Sequence, residues 1–270
     1  MKLSVLFFVL LLLNNSIIAQ AVLPAPKHRF IVIAHRGDHT EAPENTLAAY
    51  ANAIRNGVDY VEIDLRTTKD SALVIMHDAT VDRMTDGKGK INDLTLAELK
   101  QLKVWDKTKS DTQTCSIPTF EEVLKLCKNK IHIYLDYKNA NVQQAYNMIL
   151  KYSMEREIIV YINAPTQYNE WRKVAPAMPL MASLPNNVKT VEDLNTFITK
   201  TPVALLDGDY SDYTADMVTA AATAGVTAWP DIQSPGESVN WDKALSLGFK
   251  GLQTDHPKAL IDYLHGKGLR

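Results

Sequence analysis

From Phe30 onward the chain alternates short, β-branched apolar runs with longer amphipathic segments, and this alternation restricts the fold more than any other feature. Phe30–Ala34 reads as a buried strand, and Leu47–Asn56 as an Ala-rich helix capped by Asn45. Tyr60–Leu65 and Leu73–Met76 read as strands around the turn Lys69-Asp70-Ser71. Thr119-Phe120-Glu121-Glu122 is a capping box opening a helix to about Lys128. Strands are predicted over Lys130–Lys138, Ile158–Asn163, Leu180–Leu184, Val203–Leu206, Val226–Trp229 and Gly251–Thr254. Helices follow them over Val142–Ser153, Thr166–Val174, Val191–Lys200, Thr214–Ala224, Trp241–Leu247 and Pro257–Leu264.

About eight strand–helix units in about 250 residues predict an α/β fold of the (β/α)8 TIM-barrel type. A doubly wound sheet shares this alternation, but no Gly-x-Gly-x-x-Gly follows any strand, so a dinucleotide site has no support. Leu73–Met76 is expected to pair with the second unit rather than add a ninth. The polar stretch 79–118 carries the turn signals Asp86-Gly87 and Lys88-Gly89 and the capping box Thr95-Leu96-Ala97-Glu98. It is expected to be an insertion in an early βα loop of one barrel domain, residues 22–270.

The N-terminus reads differently. Lys2 precedes the apolar run Val5–Leu13, and Ala19-Gln20-Ala21 follows. That is the layout of a secretory signal peptide over residues 1–21, cleaved after Ala19 or Ala21, and it predicts an exported protein, periplasmic or extracellular. No other apolar stretch is long enough to span a bilayer. A formal net charge of −2 without a basic block argues against a nucleic-acid partner. The two cysteines, Cys115 and Cys127, are as consistent with a disulfide as with buried thiols, and no base motif adjoins either.

The strand ends carry the chemistry. Ile31-Val32-Ile33-Ala34 runs directly into His35-Arg36-Gly37. In parallel α/β proteins such loops build the active site. Glu62 and Asp64 alternate with Ile63, so both carboxylates face one side of a strand. Two inward carboxylates repel and are poorly solvated; a hard divalent cation relieves both problems. Asp136 and Lys138 repeat that geometry, one suited to the cation and one to an anion. His77-Asp78 closes another apolar run. Histidine exchanges protons near neutral pH, and Arg36 presents a fork that matches phosphate oxygens. His39 lies in the loop after Gly37, within possible reach of the same group.

Taken in order, His35-Arg36-Gly37, Pro43-Glu44-Asn45-Thr46, Glu62-Ile63-Asp64 and His77-Asp78 resemble the glycerophosphodiester phosphodiesterases. Asp82–Gly89 is similar to the start of that family's insertion, and Ile117–Leu124 to its return to the barrel. Asp136-Tyr137-Lys138 and Gln253-Thr254-Asp255-His256-Pro257 resemble weaker downstream motifs. The resemblance implies a (β/α)8 barrel holding one divalent cation, Ca²⁺ or Mg²⁺. Glu62, Asp64 and Asp136 would be its ligands, with Glu44 beside them. His35 and His77 would be the general acid and base, and Arg36 and Lys138 would hold the phosphate. Trp229 resembles an aromatic residue that lies against the glycerol carbons, although a core tryptophan reads equally well. The implied partner is a small-molecule glycerophosphodiester, split to sn-glycerol 3-phosphate and an alcohol.

Two departures stand out. Asp136 occupies a position where the family usually has Glu, and His256 replaces a commoner aromatic, Asn or Arg. Two other readings share the barrel. A lysophospholipase D, or another phospholipid phosphodiesterase, would need a longer apolar groove near the insertion, for which Trp105 is the candidate. A non-catalytic envelope protein would lack a catalytic residue.

Overall fold

The computed structural model describes residues 22–105 and 115–270. The expected signal peptide, residues 1–21, and the middle of the expected insertion lie outside the described residues. The chain runs β1 (Ile31–Ala34), α1 (Leu47–Arg55), β2 (Tyr60–Thr67), β3 (Leu73–Ile75), α2 (Leu96–Leu99), α3 (Phe120–Cys127), β4 (His132–Asn139) and α4 (Val142–Lys151). It continues with β5 (Ile158–Ile162), α5 (Pro165–Val174), β6 (Leu180–Ser183), α6 (Val191–Lys200), β7 (Leu205–Asp207) and α7 (Ala215–Thr223). It ends with β8 (Thr227–Ala228), α8 (Trp241–Ser246), β9 (Gly251–Thr254) and α9 (Pro257–Gly266).

Eight of these strands are parallel, in the order β8-β7-β6-β5-β4-β2-β1-β9. β3 stands off this path, antiparallel to β2, as its short turn requires. β8 is only two residues long. The gap to β9 is bridged by the irregular segment after it: Gln253 donates its amide to Pro230, and Ile232 donates to Gln253. The result is a nearly closed (β/α)8 barrel.

Side-chain alternation divides the strands into an outer and an inner set. Val32, Val61, Ile63, Ile133 and Leu135 face the helices. Ile31, Ile33, Tyr60, Tyr134, Ile159, Met181, Leu205 and Trp229 fill the barrel interior. Each such side chain contributes roughly 1.5–3 kcal/mol on burial, so this layer holds the barrel shut. The mouth above it is left to polar groups. The insertion has its own small core, in which Val81, Met84, Ile91, Leu99 and Val104 pack on Val74 and Met76 of the β3 segment.

Both capping boxes form, at Thr95 with Glu98 and at Thr119 with Glu122. The first helix differs from expectation: its cap is Thr46, whose hydroxyl accepts from the Ala49 amide. Asn45 is held in the left-handed region, φ 56°, and its side chain is turned to Asp64. Cys115 and Cys127 are not joined by a disulfide. Cys127 is buried, which pushes its thiol up to about 12. No helix among the described residues is long and apolar enough to cross a membrane.

Candidate active site

The strand ends β1, β2, β4, β5, β7 and β9 surround a polar cavity of about 280 Å³ at the mouth of the barrel. His35, Arg36, Glu62, Asp64, His77, Asp136 and Lys138 all line it. The register explains the convergence, since Asp64 pairs with Asp136 across β2 and β4. Both side chains therefore leave the sheet at the same height on the same face.

The three acidic residues form one cluster. Single oxygens of Glu62, Asp64 and Asp136 all lie within 4.8 Å of one another. Asp136 reaches it in spite of its short side chain, and Asn163, just past β5, donates to its Oδ1 at 2.7 Å. Lys138 Nζ lies 3.1 Å from Asp64 Oδ1 and also bonds Asp136. Burial, reinforced by Asp64 and Asp136, pushes the Glu62 carboxyl far up, and the opposing Arg36 and Lys138 do not offset it. Burial and Asp64 likewise raise Asp136. Burial also works against Asp64, but Lys138, His77, Arg36 and the Asn45 bond together hold it down. The cluster thus has more negative charge than its basic neighbours neutralise. Hard carboxylate oxygens in that state fit a divalent cation of the Ca²⁺ or Mg²⁺ type.

Arg36 sits at a strained turn. Its φ is 52°, a conformation that costs a non-glycine residue roughly 1–3 kcal/mol. The neighbouring Gly37 completes the turn at φ 82°, where an added Cβ would lie 2.8 Å from the Ala49 Cβ. In return the Arg36 amide donates to Glu62 at 2.7 Å. Its Nη1 donates to Glu44 at 3.0 Å, whereas Nε is buried without a hydrogen-bond partner. That Nε faces Asp64 Oδ2 at 3.7 Å, an ion pair too long to be a hydrogen bond, so its N–H can still serve an anionic oxygen.

Each cavity histidine leans on a carboxylate. His35 Nδ1 donates to Asp255 at 2.7 Å, and His39 Nε2 donates to the same oxygen at 3.1 Å. His77 Nδ1 donates to Asp78 at 2.8 Å. A carboxylate can only accept, so in His35 and His77 Nδ1 carries the proton and Nε2 is the nitrogen left to work. Burial opposes ionisation of Asp255, but His35 and His39 hold its carboxyl well below the usual range. Arg83, from the insertion, pairs with Asp78 through Nε at 2.7 Å and with Glu44 through Nη2 at 2.6 Å.

Residues 35–259 match the glycerophosphoryl diester phosphodiesterase family. The chain belongs to that family. It is 30% identical over 245 residues to a glycerophosphodiester phosphodiesterase of Caldanaerobacter subterraneus subsp. tengcongensis, covering 88% of this chain and 99% of that one. Its fold is similar to that of a glycerophosphoryl diester phosphodiesterase from Silicibacter pomeroyi, described as putative (TM-score 0.79, 21% identity, 91% and 96% of the two chains). It is also similar to an Oleispira antarctica phosphodiesterase solved with the product sn-glycerol-3-phosphate (TM-score 0.72, 23% identity, 87% and 96%). The chain is therefore an enzyme of the phosphoric diester hydrolase class.

One expected site residue lies elsewhere. Trp229 does not line the cavity; it is 5% exposed in the barrel interior, its ring 5.3 Å from that of Tyr60. Gly251 on β9 makes the room, since a Cβ there would sit 2.5 Å from the indole. Glu44 is beside the group as expected, on Arg36 and Arg83 rather than on the acidic cluster. Sequence reasoning assigned no role to Asp78, Asp255, Asn163, Asp207, Asp231 or Gln253. Only Asp78, Asp255 and Gln253 had a signal, the first as the residue after His77 and the other two as part of the closing motif.

Asp255 should matter through His35. Asp255→Asn is expected to lower kcat by about 10–100-fold while leaving KM within about threefold, because the amide neither carries the charge nor enforces the tautomer. Steady-state kinetics on a glycerophosphodiester check this; an unchanged kcat would show that the bond is ornamental.

Proposed function

We propose that this enzyme hydrolyses glycerophosphodiesters to sn-glycerol 3-phosphate and an alcohol, with one divalent cation, Ca²⁺ or Mg²⁺, held by Glu62, Asp64 and Asp136. The observation that carries the reading is convergence. Two carboxylate-oriented histidines, two cations and three clustered carboxylates share one cavity. When bound, the metal supplies charge neutralisation at phosphate oxygens and lowers the pKa of a coordinated hydroxyl or water.

The chain's own residues supply the rest. The guanidinium of Arg36, whose Nε makes no hydrogen bond, and the ammonium of Lys138 bind the phosphate and stabilise the charge that builds on it in the transition state. One histidine, through Nε2, takes a proton from the attacking hydroxyl, and the other gives a proton to the leaving alcohol. Asp255 and Asp78 keep both rings aimed. The product held by the Oleispira antarctica neighbour supports sn-glycerol 3-phosphate as the retained half. The N-terminal motifs lack no residue, which weighs against a non-catalytic barrel; Asp136, shorter than the usual Glu, is the one point in that reading's favour.

The test is direct. Purified protein given glycerophosphocholine and a divalent cation should release sn-glycerol 3-phosphate, read by a coupled dehydrogenase assay. Absence of release from any glycerophosphodiester sinks the proposal, and turnover of lysophospholipids alone would replace it with a lysophospholipase D.

A further inference from the structure

The cavity has a second polar side that the reaction above does not use. Asp207 closes β7, Asp231 follows β8 and Gln253 lies in β9, and all three line the same space as the histidines. Asp207 and Gln253 are 3% and 4% exposed. On the β2–β4 side Asp64 pairs with Arg36 and Lys138, and Asp136 with Lys138. Among the described residues no lysine or arginine pairs with Asp207 or Asp231. Burial pushes both carboxyls up, and at Asp207 the charge of Asp231 adds to it. This side is short of a positive charge.

The unused hydrogen-bonding atoms are all acceptors. Asp207 Oδ2 accepts from the Tyr134 hydroxyl, but Asp207 Oδ1 is buried without a partner. Asp231 Oδ1 accepts from Gln253 Nε2 and, at 3.1 Å, from Gln233 Nε2. With its amide nitrogen turned to that carboxylate, Gln253 presents Oε1, and this atom is also buried without a partner. The amide could not sit the other way, because its oxygen would then repel Asp231.

We propose that the β7–β9 side of the cavity binds a primary ammonium group carried by the diester's alcohol, of the ethanolamine class. This deepens the phosphodiesterase reading and rests on it. A primary ammonium brings one positive charge and three N–H donors. Those donors match Asp207 Oδ1, Gln253 Oε1 and the Asp231 carboxylate. A polyol offers donors but no charge. A trimethylammonium offers charge but no donors, so both buried acceptors would stay unpaired. A metal ion is less suited, since neither carboxylate belongs to a group of three metal-ligating side chains among the described residues. The phosphate side and the ammonium side open on one cavity of about 280 Å³, so a short alcohol can reach both.

The experiment compares kcat/KM for glycerophosphoethanolamine, glycerophosphocholine and glycerophosphoglycerol. Wild-type enzyme should prefer the first by at least about tenfold over each of the others. Asp207→Asn should reduce kcat/KM on glycerophosphoethanolamine at least about tenfold more than on glycerophosphoglycerol. Asp231→Asn serves the same purpose if Asp207→Asn does not fold, because Asp207 also anchors Tyr134. Equal kcat/KM on all three substrates overturns the proposal, as does an equal loss on all three in the variant. If no diester is hydrolysed, the phosphodiesterase reading is the one that fails. Calorimetry on EDTA-treated protein then decides the ammonium site alone. Tighter binding of glycerophosphoethanolamine than of glycerophosphoglycerol, lost in Asp231→Asn, sustains it, and equal binding overturns it.

Discussion

Chelation with EDTA should lower hydrolysis of glycerophosphocholine by at least about 10³-fold, and added Ca²⁺ or Mg²⁺ should restore it. The expectation follows from the Glu62, Asp64 and Asp136 cluster. Arg36 and Lys138 are both within reach, yet burial and like charge still drive Glu62 far from its ordinary ionisation. A 10³-fold loss corresponds to about 4 kcal/mol, the scale expected when charge stabilisation at a phosphoryl centre is withdrawn. The same ion should bind the folded chain alone, since no strand brings the three carboxylates together in the unfolded one. At a hundredfold excess over its Kd it stabilises by about 2.7 kcal/mol, so the melting temperature should rise with added metal. Undiminished turnover in thoroughly chelated protein, with no shift in melting temperature, would remove the cation from the reaction.

His35→Ala and His77→Ala should each lower kcat by about 10²–10⁴-fold with a much smaller change in KM. Each ring is fixed at Nδ1 by its own carboxylate, and both line the same cavity. Proton transfer to and from the reacting oxygens is the role proposed for that position. The double variant should be little worse than the slower single one, because a reaction needing both transfers is already stalled by losing one. Near wild-type kcat in either single variant would strike that histidine from the acid–base pair. Circular dichroism guards against a trivial loss through misfolding.

Most of the phosphate side was legible because alternation carries it. Glu62 with Asp64, and Asp136 with Lys138, share faces by virtue of period two alone. What alternation cannot report is which neighbour stands on the next strand. Trp229 follows a strand, as a site residue should, but Gly251 beside it leaves room for the indole inside the barrel. Asn45 and Thr46 are both natural caps. The choice fell to Thr46 because Asp64, 19 residues away, takes the Asn45 side chain. Asp207, Asp231 and Gln253 lie on three different strands or their ends, and no motif joins them. Their meeting is a fact of barrel closure, visible only when β8 and β9 are brought together across Pro230 to Ile232.

Arg83 makes the insertion something other than decoration. One guanidinium from that segment clasps Glu44 after β1 and Asp78 after β3. Glu44 in turn accepts from Arg36, and Asp78 accepts from His77. The two halves of the chemistry are thus pinned by a single rivet from outside the barrel proper. A graft that exchanges this segment between related barrels has to bring an arginine to the same spot, or it loosens the supports of Arg36 and His77 in one stroke.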